Sequence, residues 1–168
     1  MKRTIIALTL LAAAALAPAQ EVTVVTPAYS SDRLARLSVA IGAAEGFGMQ
    51  GALPTRYHNP GDLKGRPEMW GAIRTGKGGH LVFRTDADGE AALRRLLMLV
   101  LQGRSKVYTL DMTLDRVARR YAANSNNWAR YVSKVLGVPS RTTLRDFLCT
   151  GELDNPPVLH FQEAGLGY

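Results

Sequence analysis

Glu45 is the residue whose placement most suggests chemistry. It lies eleven positions after Leu34, so on a helix it sits about 20° around from that leucine. A carboxyl group therefore ends a stripe whose other members, Leu34, Leu37 and Ile41, face a core. Partial desolvation and the negative end of its own helix both favour the protonated form. A carboxylic acid kept protonated near neutral pH can protonate a leaving group and later act as base. The Gly46-Phe47-Gly48 that follows would let a substrate approach closely, with Phe47 as an apolar wall. The plainer alternative is a solvated glutamate at a helix end.

Two further clusters could serve such a site. In Arg56-Tyr57-His58-Asn59-Pro60-Gly61-Asp62-Leu63 the Pro-Gly pair marks a turn, and Asn59 before proline is held extended. The loop either presents Asn59 and Asp62 to a sugar or peptide, or is only a rigid turn. In Tyr121-Ala122-Ala123-Asn124 the tyrosine closes an apolar stripe, and the polar run from Asn124 to Asn127 could line a cleft. Other chemistries find little support. His58, His80 and His160 have no metal-ligand spacing, so neither a metal nor a cofactor is expected. Cys149 has no activating basic or histidine neighbour in sequence and is expected to be a buried thiol. Gly76-Lys77-Gly78-Gly79 lacks the spacing of a phosphate-binding loop and reads as a turn.

These residues need a scaffold, and the periodicity supplies one. Asp32–Glu45 reads as a helix with Ser30 or Ser31 as N-cap and Gly46 as its stop. Residues 46–68 are rich in glycine and proline and read as loop. Segments 70–75 and 80–85 could be two strands of a hairpin. Asp86-Ala87-Asp88 opens a long helix whose Leu96–Leu101 run is apolar on every side, the mark of a central buried helix. Three more helices follow: one with the stripe Leu114, Val117, Tyr121, one with Trp128, Tyr131, Val132, Val135 closed by Gly137, and one with Leu144, Phe147, Leu148. The expected fold is mainly α (α+β), a helical domain with a central buried helix and a small β-hairpin.

Composition sets the context. The chain has 168 residues, 46% hydrophobic and 21% charged, which fits one globular domain and excludes intrinsic disorder. Lys2 and Arg3 precede an apolar run from Ile5 to Leu16, and Ala17-Pro18-Ala19 offers small residues for cleavage, so 1–19 reads as an export signal. The run is shorter than a membrane span needs, and no stable membrane anchor is expected. Residues 20–31 form an extended leader, 32–150 the domain, and 151–168 a C-terminal extension. Loss of the signal leaves 19 basic against 14 acidic groups. A basic protein outside the cytoplasm, in the periplasm or beyond, meets acidic wall polymers and membrane surfaces rather than nucleic acid. A monomer is expected.

The order of motifs then becomes specific. Glu45-Gly46-Phe47, the Asn59-Pro60-Gly61-Asp62-Leu63 turn, Phe83-x-Thr85 with Asp88-Gly89 and Ala92-Leu93, and Tyr121-Ala122 leading to Tyr131-x-x-x-Val135-Leu136-Gly137 run through residues 33–148. This order resembles the lysozyme-like proteins of bacteria and phage virions that carry an Arg-Asn-Asn-Pro-Gly-Asn loop. It is similar, more distantly, to lytic transglycosylases and goose-type lysozymes. The chain departs from those patterns in three places. Gly46 stands where transglycosylases usually have Ser, Tyr57-His58 stands in place of an asparagine run, and Ala122-Ala123 separates Tyr121 from Asn124. The resemblance implies a lysozyme-like fold and a secreted enzyme acting on peptidoglycan glycan strands. Glu45 would be the acid and base at the β-1,4 bond between N-acetylmuramic acid and N-acetylglucosamine, with Phe47, Asn59, Asp62, Tyr121 and Asn124 binding substrate. A transglycosylase would use the sugar's own 6-hydroxyl, and a hydrolase would use water with Asp62 or Asp86 as a possible second carboxylate. The competing expectation is a non-catalytic module that holds cell wall or another exported protein in a degenerate cleft.

Overall fold

The computed structural model describes residues 27–149. The expected signal segment, the leader up to residue 26 and the C-terminal extension lie outside the described residues. The elements run α1 (Ser31–Ala44), α2 (Leu53–Arg56), α3 (Pro67–Trp70), β1 (Arg74–Thr75), β2 (Leu81–Val82), α4 (Asp86–Leu101), α5 (Leu114–Tyr121), α6 (Ser125–Leu136) and α7 (Leu144–Leu148). The fold is mainly helical, with one two-stranded antiparallel hairpin that pairs Arg74 with Val82 and Thr75 with Leu81. Among the described residues no helix is long and apolar enough to cross a membrane.

Polar caps set where the longer helices begin. Ser30, Thr85, Thr113, Asn124 and Thr143 each accept a hydrogen bond from the backbone N–H three residues on. Each satisfies a donor that the first helical turn leaves unpaired. At α4 the arrangement is reciprocal, because the Asp88 carboxylate also accepts from the Thr85 backbone N–H.

The core forms around α1. This helix packs against α4, α6 and α7, and α5 packs along α6. Leu34, Leu37 and Ile41 are buried as their spacing predicts, joined by Ala40. They meet Leu97 and Val100 of α4, Trp128 and Val132 of α6, and Leu148 of α7 in one cluster. A smaller cluster of Leu63, Leu81, Phe83 and Ala92 lies under the hairpin. The last leader residues close the domain: Tyr29 bridges to Cys149, and the Ser30 N–H donates to the Leu148 carbonyl at 3.0 Å.

Several expectations are corrected. The central helix is α1 rather than α4, whose Arg94 and Arg95 are exposed and whose Leu96, Met98 and Leu99 are only part-buried. On α6 the buried side is Trp128, Ala129, Val132 and Leu136, while Tyr131 and Val135 face solvent. Both stripes are apolar, and they share Trp128 and Val132. Cys149 is half-buried rather than buried. The hairpin is shorter than predicted at both ends. Trp70 belongs to α3, which Gly71 terminates at φ +71°. Beyond Val82, the Phe83 N–H turns to the Tyr57 carbonyl at 2.9 Å, so this edge pairs with the loop. Two short helical turns, α2 and α3, interrupt the segment read as loop, each with proline in its first turn.

Candidate active site

Glu45 is the C-cap of α1, and a Schellman ending fixes its backbone. The Phe47 N–H reaches the Gly42 carbonyl at 2.9 Å, and the Gly46 N–H reaches the Ala43 carbonyl at 3.1 Å. This ending places Gly46 at φ +82°, a conformation that side chains with a Cβ disfavour. Glycine after Glu45 is therefore a requirement of this helix end.

The Glu45 side chain is half-buried, and Trp128 Nε1 donates to its Oε1 at 2.7 Å. Trp128 is buried, so its indole N–H needs a partner, and Glu45 is that partner. Burial pushes the Glu45 carboxyl from its ordinary 4.5 up to about 7. The Trp128 hydrogen bond pulls the other way, and the charge of Asp62 adds a smaller upward push. Half of the carboxyl population is thus protonated near neutral pH.

A cleft of about 360 Å³ opens beside this group. It is lined by Ala43, Ala44 and Glu45 from the end of α1, Ala122 to Asn124 from the α5–α6 connection, and Asn127, Trp128 and Tyr131 from α6. The four alanines keep the walls low, while Asn124 and Asn127 supply amides. Tyr121 packs against Trp128, with ring centroids 5.4 Å apart, and Tyr108 stands 6.0 Å from Tyr121. Burial, then the charges of Glu45, Tyr108 and Asp62, push the Tyr121 hydroxyl well above its ordinary 10. It stays protonated and donates to the Gly61 carbonyl.

That hydrogen bond ties α5 to the Asn-Pro-Gly loop, which is wedged between helices. A Cβ on Gly89 of α4 would stand 1.9 Å from the His58 carbonyl oxygen, and one on Gly42 of α1 would stand 3.3 Å from Pro60 Cβ. The loop also carries both non-glycine residues at positive φ among the described residues, His58 (+52°) and Asp62 (+45°). Asn59 is the keystone. Its Nδ2 donates to the carbonyls of Leu63 at 3.0 Å and Leu81 at 2.9 Å, and its Oδ1 accepts from the Leu63 N–H at 2.8 Å. Fully buried and fully bonded, Asn59 has nothing left for a substrate. The expectation that it binds substrate is corrected, because it positions the loop that holds Asp62.

The other expected site residues are distributed as follows. Asn124 lines the cleft and caps α6, accepting from the Asn127 N–H at 3.3 Å. Tyr121 packs against the cleft residue Trp128. Phe47 is half-buried and is not among the cleft-lining residues. Asp62 stands outside the lining but close enough to act on both Glu45 and Tyr121. Its Oδ1 lies 2.6 Å from His80 Nδ1. Both atoms are buried without a well-angled hydrogen bond, so the contact is one of proximity. Asp86 is taken by His58, with Nδ1 to Oδ1 at 2.6 Å. Among the described residues no group of three or more His, Cys, Asp or Glu converges as metal ligands would.

Sequence reasoning missed Trp128 as the partner of Glu45, His80 as the partner of Asp62, and Tyr131 as a cleft residue, whereas the polar run from Asn124 to Asn127, read as a possible cleft lining, does contribute Asn124 and Asn127 to the cleft. The one available signal was Trp128 itself, since a core tryptophan must place its N–H somewhere. Comparison with protein-family models, with curated proteins and with solved structures gives no match for this chain.

Proposed function

We propose that the protein is an exported glycosidase that cuts peptidoglycan glycan strands, with Glu45 as general acid and then base. The observation that carries this reading is a carboxyl group with its pKa near 7, lining an open cleft and held by the Trp128 N–H. Few structural roles call for an isolated, half-buried acid at a helix end, and perturbed acids cluster where proton transfer is done.

The mechanism follows from the groups at hand. Protonated Glu45 gives its proton to the glycosidic oxygen as the C1–O bond breaks, leaving positive charge on the sugar and a carboxylate on Glu45. The Trp128 N–H binds the carboxylate more strongly than the acid, so this contact favours the state formed during bond cleavage. The Glu45 carboxylate then removes a proton from the attacking oxygen. If that oxygen is the sugar's own 6-hydroxyl, the product is a 1,6-anhydro sugar, and if it is water, the product is a free reducing end.

Of the two aspartates that could assist water, Asp86 is engaged by His58. Asp62 is the one with an electrostatic influence on Glu45. The charge of the domain suits an acidic polymer, since residues 27–149 hold 19 Lys and Arg against 10 Asp and Glu.

The test is a digest of purified peptidoglycan by the protein and by Glu45→Gln, read by mass spectrometry. Soluble fragments lost in the variant support the enzyme. Fragments one water lighter than hydrolytic products identify a transglycosylase, and full-mass fragments identify a hydrolase. Co-sedimentation of both proteins with intact wall and no fragments would leave a binding module instead.

A further inference from the structure

Three apolar side chains stand open along the seam where α1 packs on α6. The register of that seam is fixed at three points. Trp128 Nε1 meets Glu45, Tyr131 lines the cleft with Ala43 and Ala44, and Arg36 Nη2 donates to the Leu136 carbonyl at 3.1 Å. Residue numbers rise on one helix as they fall on the other, so the helices are antiparallel and Val39 of α1 falls opposite Val135 of α6. Val39 is 68% exposed and Val135 41%. Tyr131, one turn from Val135 on the same side of α6, is 46% exposed and carries the apolar strip to the wall of the cleft.

A strip of three side chains is too small to hold a separate protein, because a specific interface buries about 1,200–2,000 Å² in total. A segment tethered to the domain meets a lower requirement, since a short linker holds it at an effective concentration in the millimolar range. Residues 150–168, outside the described residues, are such a segment. They follow Cys149, which bridges to Tyr29 just before the start of α1. The apolar run Val158–Phe161 begins nine residues beyond Cys149, and nine residues of extended chain span about 30 Å. Helix α1 is about 20 Å long, so the run can reach any point of the seam.

Charge favours the same occupant. Residues 150–168 hold Glu152, Asp154 and Glu163 and no Lys or Arg. Arg33 and Arg36 lie on α1 between its start and Val39, and Lys134 lies beside Val135 on α6. Among the described residues none of these three cations forms an ion pair. The acidic residue of α1 is Asp32 in its first turn, and α6 has none.

We propose that residues 152–163 of this chain dock along the α1–α6 seam, with Val158–Phe161 covering Val39, Val135 and the open edge of Tyr131. Glu152 and Asp154 pass Arg33 and Arg36 on the way from Cys149. The seated segment narrows the cleft from the Tyr131 side, whatever the cleft acts on.

The test is limited proteolysis of the exported protein with residues 150–168 intact, following chymotrypsin cleavage after Phe161 by mass spectrometry. Cleavage tracks the population in which Phe161 is released from the seam. Val39→Asp should speed this cut about tenfold, and Val135→Asp should do the same from the other helix. Both positions are exposed within the domain, so the substitutions leave its core intact. Val107→Asp, at an open apolar position away from the seam, should leave the rate unchanged. Glu152→Lys with Asp154→Lys, well upstream of the cut, should speed it several-fold. Equal rates in wild type, Val39→Asp and Val135→Asp, or an equal acceleration by Val107→Asp, would overturn the contact. Protection that grows with protein concentration, together with a dimer in sedimentation, would put a second copy on the seam and overturn the assignment to this chain's own segment.

Discussion

Replacing Glu45 by glutamine should make the protein more stable at alkaline pH and leave it unchanged in acid. Glutamine keeps an amide oxygen for the Trp128 N–H but has no charge to desolvate. In the unfolded chain Glu45 ionises near 4.5, and in the folded protein near 7. Below 4.5 the group is protonated in both states and contributes nothing to the pH dependence of folding. Between 4.5 and 7 the unfolded chain releases a proton that the native state retains, so stability falls as pH rises. Above 7 the full penalty is present. A shift of that size corresponds to about 3 kcal/mol at roughly 1.4 kcal/mol per pKa unit. Solvent reaching the half-buried carboxyl reduces this to about 2 kcal/mol. For a domain of this size that is about 6 °C in melting temperature. The assay is thermal unfolding of both proteins from pH 4 to pH 8.5. The variant should melt with wild type at pH 4 and above it at pH 8, the gap opening between 4.5 and 7. A gap independent of pH, or a variant less stable than wild type at pH 8, would refute the account of Glu45.

Three other perturbations probe the surroundings of the site. Trp128→Phe removes the hydrogen bond that favours the carboxylate, so the Glu45 pKa should rise by about one unit above its wild-type value, measured by carbon NMR of the carboxyl group. Asn59→Ala strips three hydrogen bonds from buried backbone groups and should cost about 3 kcal/mol in urea unfolding. Gly89→Ala drives a methyl into the His58 carbonyl and should cost about 2–3 kcal/mol in the same assay, despite alanine's higher helix propensity.

The parts of the fold written in local pattern were legible. An N-cap at Ser30 or Ser31, the stripe Leu34, Leu37, Ile41 and the stop at Gly46 placed α1 to within a residue, and Ser30 is the cap. The same stripe pointed to Glu45 because one helix surface carries both. What depended on distant partners was not legible. Trp128 lies 83 residues from Glu45 in sequence, and only packing of α6 on α1 brings the indole to the carboxyl. Asn59 could equally have served a ligand, since its task depends on Leu81, a strand residue 22 positions away. The rotation of α6 was hidden because two neighbouring stripes are both apolar and share Trp128 and Val132, so periodicity alone does not choose between them. The Leu96–Leu101 run misled for a related reason: its hydrophobicity suggested burial all round, but α4 packs at the side of the domain.

The most direct test of the central claim is the pH dependence of peptidoglycan cleavage by the wild-type protein. If protonated Glu45 is the acid, the rate should fall above about pH 7, approaching tenfold per pH unit, and Glu45→Gln should release nothing at any pH. A rate that keeps rising through pH 9, or cleavage that survives in Glu45→Gln, would contradict the assignment.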